Sequence, residues 1–357
     1  MNRVARMVAR MIVMRFVPIL LGVTLFVLTL EVVAYAKEIL ALNDNGLAMI
    51  GKYVLYRAPA TLATFLPISL LLALLLAITE LSYRNELTAM WSIGLSPPRL
   101  IVMLVPVTLV IGVLHFALVD RLVPLAAPTL RAWGIADYGE KKLSIGEKDP
   151  IWLRSGTDIM RAASANRDAS RLTDVTIFRR DAKGILLEQI YASSASLGAQ
   201  GWTLQNAVIY GRDTAPPKRA TQVTYNGTMR AASAGSRSGD PEEMTLGDLS
   251  YFITNNGFGI RPAHVYQTWW NKRVATIFVS TIMLALVIPL AARFRRGGGL
   301  GLLFALGVGL GFAFFILDGI ATSIGELGVV FPWLAAWLPV LVFGCIALFL
   351  LSKSERV

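Results

Sequence analysis

Six stretches of this chain stay apolar for about the 20 residues that a helix needs to cross a bilayer. Nothing else in the sequence limits the fold as tightly. Lipid offers no water to an exposed N–H or C=O, so each stretch must satisfy its own backbone, and a helix does so within one segment. The predicted spans cover residues 16–36, 53–79, 100–123, 274–292, 300–320 and 330–351, with a short loop over 37–52. With 55% hydrophobic residues and a mean hydropathy of +0.58, the chain is not an ordinary soluble globule. The basic N-terminus followed by an apolar run has the outline of a signal peptide. That run is too long for one and has no small-residue cleavage site before Glu31, so it reads as an uncleaved first span.

Charge orients the spans. Residues 125–266 carry 17 Lys/Arg against 14 Asp/Glu, a surplus of +3, so +8 of the total +11 belongs to the membrane-associated parts. Arg3, Arg6, Arg10 and Arg15 precede the first span, and Arg84 and Arg99 lie between the second and third. Arg293, Arg295 and Arg296 follow the fourth span, and Lys353 and Arg356 end the chain. All of these fall on one face, which the positive-inside rule makes cytoplasmic. Both termini are therefore expected inside and the large segment after the third span outside. No basic face interleaved with aromatics occurs, which argues against nucleic acid as a partner.

Residues 84–99, RNELTAMWSIGLSPPR, are short, charged at the start and amphipathic. In a helix Leu87, Met90, Trp91 and Leu95 form one apolar stripe. Asn85 is a good N-cap residue, Glu86 suits the positive end of the helix dipole, and Gly94 with Pro97 and Pro98 provides a stop. Such an element is either a plain connector or a knob that another protein grips.

The segment from 125 to 264 changes character. Runs at 172–179, 184–192, 202–210 and 221–225 alternate or are rich in β-branched residues, with turn signals at 181–184, 199–201 and 216–217. Short strands without helical period predict an antiparallel sandwich or open roll. Residues 231–240 read as a flexible linker, and 242–253 as a short amphipathic helix returning to the membrane.

Catalytic signatures are missing from the sequence. The glycine-rich stretch 296–301 lacks the Gly-Lys-Ser/Thr ending of a phosphate-binding loop and reads as a turn. His115 and His264 have no ligand-spaced partner, and Cys345, the single cysteine, reads as a small buried residue. Asn226-Gly-Thr is a short match to a glycosylation sequon. Charged residues in or beside the spans carry more information, because lipid penalises them. Glu31, Asp120 with Arg121, and Glu326 stand among them, as do Lys37, Lys52, Arg57, Lys272, Arg273 and Asp318. They are either snorkelling or ion-paired groups, or they line a cavity near the outer leaflet whose cations suit phosphate head groups.

The layout of three spans, a β-rich insert and three further spans resembles the lipopolysaccharide export permease family, the paired F and G subunits of the Lpt transporter. The stretch Asn85-Glu-Leu-Thr-Ala-Met-Trp-Ser-Ile-Gly-Leu-Ser96 resembles its coupling-helix motif, commonly Ser-Glu-Leu-Thr-x-Met-Arg-x-x-Gly-x-Ser. Two residues depart from that motif: Asn85 replaces a small polar residue and Trp91 a common Arg. Gly311-Phe-Ala-Phe-Phe-Ile-Leu-Asp318 and Ala335-Ala-Trp-Leu-Pro339 are most similar to the G subunit, and Trp270-Asn-Lys-Arg273 is also similar to the family.

The resemblance implies a six-helix inner-membrane permease: residues 1–124 hold three spans and a coupling helix at 84–96, 125–264 a periplasmic β-jellyroll, and 265–357 three spans. It implies no ATPase site or cofactor on this chain. ATP would be bound by a separate cytoplasmic ABC ATPase dimer that grips Arg84, Asn85, Glu86, Leu87, Met90, Trp91, Gly94 and Leu95. A second, F-type permease would pair with this one, and lipopolysaccharide would leave the inner membrane for a periplasmic bridge of jellyroll proteins. Lys37 is a possible match to a lipid-binding lysine of the family. An apolar groove in the β-roll would shield the acyl chains, with Val175, Ile177, Ile185, Leu187, Ile190, Val208 and Tyr210 as candidates. Two other readings stand beside this one. A proton-coupled secondary transporter would use Glu31, Asp318 or Glu326, and a membrane-anchored scaffold would present its β domain to a partner.

Overall fold

The computed structural model describes residues 3–42, 46–138, 151–155, 157–165, 171–198, 201–212, 216–226, 240–254, 262–292 and 300–354. The cluster Arg293, Arg295 and Arg296, most of the glycine-rich turn, most of 231–240 and the end of the sequon lie outside them. In chain order come α1 (Arg3–Ala34), α2 (Ala36–Ala41), α3 (Gly46–Tyr83), α4 (Glu86–Ser92), α5 (Pro97–Ala117), a π turn (Leu118–Leu122) and α6 (Val123–Trp133). Six strands follow: β1 (Ile151–Ser155), β2 (Asp158–Ala165), β3 (Arg171–Arg180), β4 (Leu186–Gly198), β5 (Gly201–Gly211) and β6 (Lys218–Tyr225). The last helices are α7 (Leu246–Thr254), α8 (Ala263–Ala292), α9 (Leu300–Glu326) and α10 (Pro332–Ser354). The chain divides into two compact units, residues 1–126 with 268–357, and 127–267.

In the first unit, six helical stretches among the described residues are long and apolar enough to cross a membrane. Helix α1 begins at Arg3, well before the expected start at Phe16, and much of the loop expected over 37–52 is helical. The expected spans fall within these helices. One core cluster draws on every long helix: Ile12 of α1, Leu74 of α3, Leu104 of α5, Leu284 of α8, Phe314 of α9 and Phe343 of α10. Glycines set the closest approaches. A Cβ on Gly112 would stand 2.0 Å from the Ile277 carbonyl oxygen, so α5 and α8 meet backbone to backbone there. Gly307 and Gly311, four residues apart, receive Leu75 and Leu71 of α3, the small-residue packing expected between helices in lipid. Pro67 has no N–H for the Ala63 carbonyl four residues earlier, and His115 of α5 hydrogen-bonds that carbonyl. This assigns His115 a packing role. Cys345 departs from expectation and lies on the outward side of α10.

The second unit holds one antiparallel sheet in the order β1-β2-β3-β4-β5-β6. Among the described residues every strand pairs with its neighbour in sequence, so the sheet is antiparallel as expected. β1 and β2 were not anticipated, since DIMRAASA is alanine-rich and carries little strand propensity. The turn at Asp181 is as read: its side chain accepts from the N–H groups of Lys183 and Ile185, both at 2.9 Å, and Gly184 takes φ +84°. α7 starts later than expected, at Leu246, because Thr245 and Asp248 form a reciprocal cap there.

The sheet curls on itself. Flat, β2 and β6 would lie about 19 Å apart at roughly 4.8 Å per strand. Instead the Tyr225 hydroxyl of β6 donates to Asp158 of β2 at 2.6 Å. Met160, Ile177, Trp202 and Leu204 are fully buried on the inner face. The curl follows a line of irregular residues across three strands. Asp174 (φ +47°) and Asn206 (φ +53°) are left-handed, and Asn206 reaches Ser193 of the strand between them. The buried positions slip there from Leu172 to Val175, from Ala195 to Ala192 and from Leu204 to Ala207, so one face stays apolar around the bend.

Candidate functional sites

Helix α4 is two turns long and cannot persist alone. Its ends and one face are fixed by neighbours. The expected side-chain cap by Asn85 is absent: Asn85 is left-handed (φ +59°) and its side chain makes no cap bond. Asn tolerates that conformation better than most residues, which lets the chain turn sharply out of α3. The stop works as read at Gly94. With φ +85° it allows Gly94 N–H to reach the Trp91 carbonyl and Leu95 N–H the Met90 carbonyl, each at 3.0 Å, a Schellman closure. Pro97 and Pro98 do not end α4 but open α5, where a missing N–H costs nothing.

The stripe points into the bundle. Leu87 (2% exposed) and Met90 (6%) belong to the main core cluster, and Trp91 and Leu95 pack against it. Trp91, which stands where the motif commonly has Arg, is thus committed to this chain's own interior. Ala89, Ser92 and Gly94 face outward with Ile93, an isoleucine 76% exposed. Sequence reasoning passed over Ile93 because it lies off the stripe. Glu86 is half-buried and lines a groove of about 750 Å³ with Arg3, Arg6, Arg10, Arg15 and Arg84. Behind it Glu80 bonds Arg15 of α1 and also Arg84, at 2.8 Å.

At the other end of the same helices several charged groups form closed sets. Arg57 holds Glu31 through two contacts of 2.8 and 3.1 Å, and the Tyr53 hydroxyl donates to the same carboxylate at 2.7 Å. Lys272 reaches Asp318 at 2.9 Å and Thr322 at 2.8 Å and lies over the Trp269 ring, whose N–H donates to Glu326. Arg273 is 2% exposed; it donates to the Val119 carbonyl at 2.6 Å, inside the π turn, and lies 3.7 Å from buried Asp120. A π turn leaves carbonyls short of partners, and Arg273 fills that need. Arg273 is therefore enclosed by its own bundle in this conformation. Lys272 and Asp318 are part-exposed but spent on each other. Lys37 and Lys52 are exposed and hold no carboxylate among the described residues.

The β-groove candidates divide by face. Val175, Ile177 and Ile190 are buried on the inner face. Ile185, Leu187 and Tyr210 are exposed, each more than 40%, and Val208 is half-buried, its register placing it on the outer face with Tyr191 and Tyr210. The candidates therefore lie on both faces of the sheet. The irregular positions Asp174, Ser193 and Asn206 break simple alternation along these strands. Across the mouth of the roll, burial first and then the bond to Asp158 raise the Tyr225 hydroxyl above the ordinary tyrosine pKa.

The comparisons with known proteins fit this architecture. Residues 6–353 match the family model described as lipopolysaccharide export system permease LptF/LptG. Lipopolysaccharide export system permease protein LptG of Escherichia coli strain K12 is 24% identical over 315 residues, 85% of this chain and 86% of that protein. The LptG of Haemophilus influenzae is 25% identical over 318 residues, 83% of this chain and 84% of the relative. Six membrane-length helices, an inserted antiparallel β unit and a match over nearly the whole sequence lead to one conclusion: the chain belongs to the lipopolysaccharide export permease family LptF/LptG.

Proposed function

We propose that this chain is one permease half of an ATP-driven exporter that takes lipopolysaccharide from the inner membrane toward a periplasmic bridge. A second, F-type permease pairs with it, and a separate ABC ATPase dimer supplies the energy at α4. In this reading both termini and α4 are cytoplasmic and the β unit is periplasmic. The observation that carries the proposal is the two-faced build of α4. Its stripe is part of the core shared by all the long helices, while Ile93 and its small neighbours stand free to be gripped. A push on such a helix moves packed side chains rather than a loop, and close-packed interiors transmit displacement.

The resemblance implies that Glu86 contacts the ATPase. Reconstituted with its partners in proteoliposomes, Glu86→Ala and Ile93→Asp are expected to lower lipid-stimulated ATP turnover and lipopolysaccharide release at least tenfold. Wild-type turnover and release in both variants would remove the coupling role of α4. For the β unit, the buried state of Val175, Ile177 and Ile190 means that acyl chains enter only if the roll opens. The carboxylates that a proton-coupled carrier would need, Glu31, Asp318 and Glu326, are each held by a donor, which supports the ATP-driven reading over the proton-coupled one.

A further inference from the structure

We propose that the seam between α1 and α3 at the arginine-rich end binds one anionic phospholipid, its head group beside the first turn of α4. Two grooves run into each other there and share Met14, Arg15 and Glu80. The outer groove, about 750 Å³, is lined by five arginines against two glutamates, Glu80 and Glu86. Glu80 is already engaged by Arg15 and Arg84. Arg6 and Arg10 are exposed and meet no carboxylate among the described residues. Arginine forks match phosphate oxygens, and a basic pocket at the membrane surface favours acidic head groups.

The second groove, about 630 Å³, continues along the same two helices and is lined by Pro18, Ile19, Leu76 and Thr79. From Arg6 to Ile19, α1 rises about 20 Å at 1.5 Å per residue, roughly one leaflet's depth. A soluble phosphate would have no use for this trough. An acyl chain would lie in it, and the flexible side chains of Met7, Met11 and Met14 suit a mobile hydrocarbon. Both halves of the site thus select the same molecule, a phosphodiester with a tail. The proposal needs only membrane embedding, so it can fail while the transport reading stands, and the reverse also holds.

The test is lipid retention by the full-length chain in zwitterionic detergent, counted by native mass spectrometry. Mixed micelles would contain phosphatidylglycerol or phosphatidylcholine with identical chains. The expected result is preferential retention of one phosphatidylglycerol. Each surface arginine contributes about fivefold in affinity, so Arg6→Gln with Arg10→Gln should weaken retention about 25-fold while phosphatidylcholine is unaffected. Leu76→Trp should weaken both lipids by filling the trough, with an unchanged melting temperature reporting intact folding. Glycerol phosphate, a head group without chains, should not compete. Equal retention of the two lipids, an unchanged arginine variant, or competition by glycerol phosphate would each overturn the proposal. Arginine variants that keep the lipid but lose a co-purifying protein would also overturn it, by giving the groove to an acidic protein segment.

Discussion

The ion pairs Glu31–Arg57 and Arg15–Glu80 both join α1 to α3, and they differ in what surrounds them. Glu31 and Arg57, with side chains 12% and 16% exposed, form a set that Tyr53 completes. Arg15 and Glu80, at 24% and 31%, stand beside Arg84, Arg10 and Arg6 with positive charge to spare. At the first end the charges set against the bundle are paired within it, as Lys272–Asp318 and Arg273–Asp120 also are, while Lys37 and Lys52 stay exposed at its edge. The second end keeps a surplus facing outward. Buried charge is tolerated only when paired, whereas charge at a water or head-group boundary can wait for a ligand or partner. Paired sets therefore mark structure, and the cluster of arginines left over beside α4 is the charge that the proposed lipid site draws on.

The contrast can be broken most severely at Arg273. Replacement by Leu takes from buried Asp120 the buried one of its two arginine neighbours and from the Val119 carbonyl its donor, and thermal unfolding in detergent should show a loss of about 3–5 kcal/mol. The double variant with Asp120→Leu should recover part of it; a double variant worse than either single would refute pairing as the cause. Glu31→Gln removes a carboxylate held by two donors and should cost about 2 kcal/mol, measured in the same way. In the β unit, Tyr225→Phe deletes the bond to Asp158 and should cost about 1 kcal/mol, seen as faster hydrogen exchange in β2 and β6. Because folding raises this hydroxyl's pKa, its contribution is complete below about pH 10 and disappears as pH climbs through the folded value. Alkaline melts of wild type and Tyr225→Phe should converge accordingly. Arg15→Gln should have the smallest effect, under about 1 kcal/mol, since this pair is part-exposed. A large loss there would mean that the two ends are not different in kind.

Legibility followed the local physics. Spans could be read from the chain because an apolar run of membrane length has few alternatives, and β3 to β6 because branched residues and turn residues alternate within short windows. The stripe of α4 was legible for the same reason. Asn85 was read as a side-chain cap because Asn favours both caps and left-handed turns, and only the angle between α3 and α4 chose the second. Lys272, Arg273 and Asp318 looked alike in sequence as charges near span ends. Their fates separated through Thr322 and the carbonyl exposed by the π turn, neither of which has a composition signal.

By itself the sequence determined the number of membrane-length segments, the place of the β insert and the amphipathic helix between the second and third spans, because each depends on hydropathy and period within a few turns. The tertiary structure alone decided which charges cancel and which are left over, that the sheet curls until Tyr225 meets Asp158, and that Trp91 turns inward while Ile93 turns out. These depend on where residues far apart in the chain come to lie, and a Coulomb or hydrogen-bond energy counts distance in space, not along the chain.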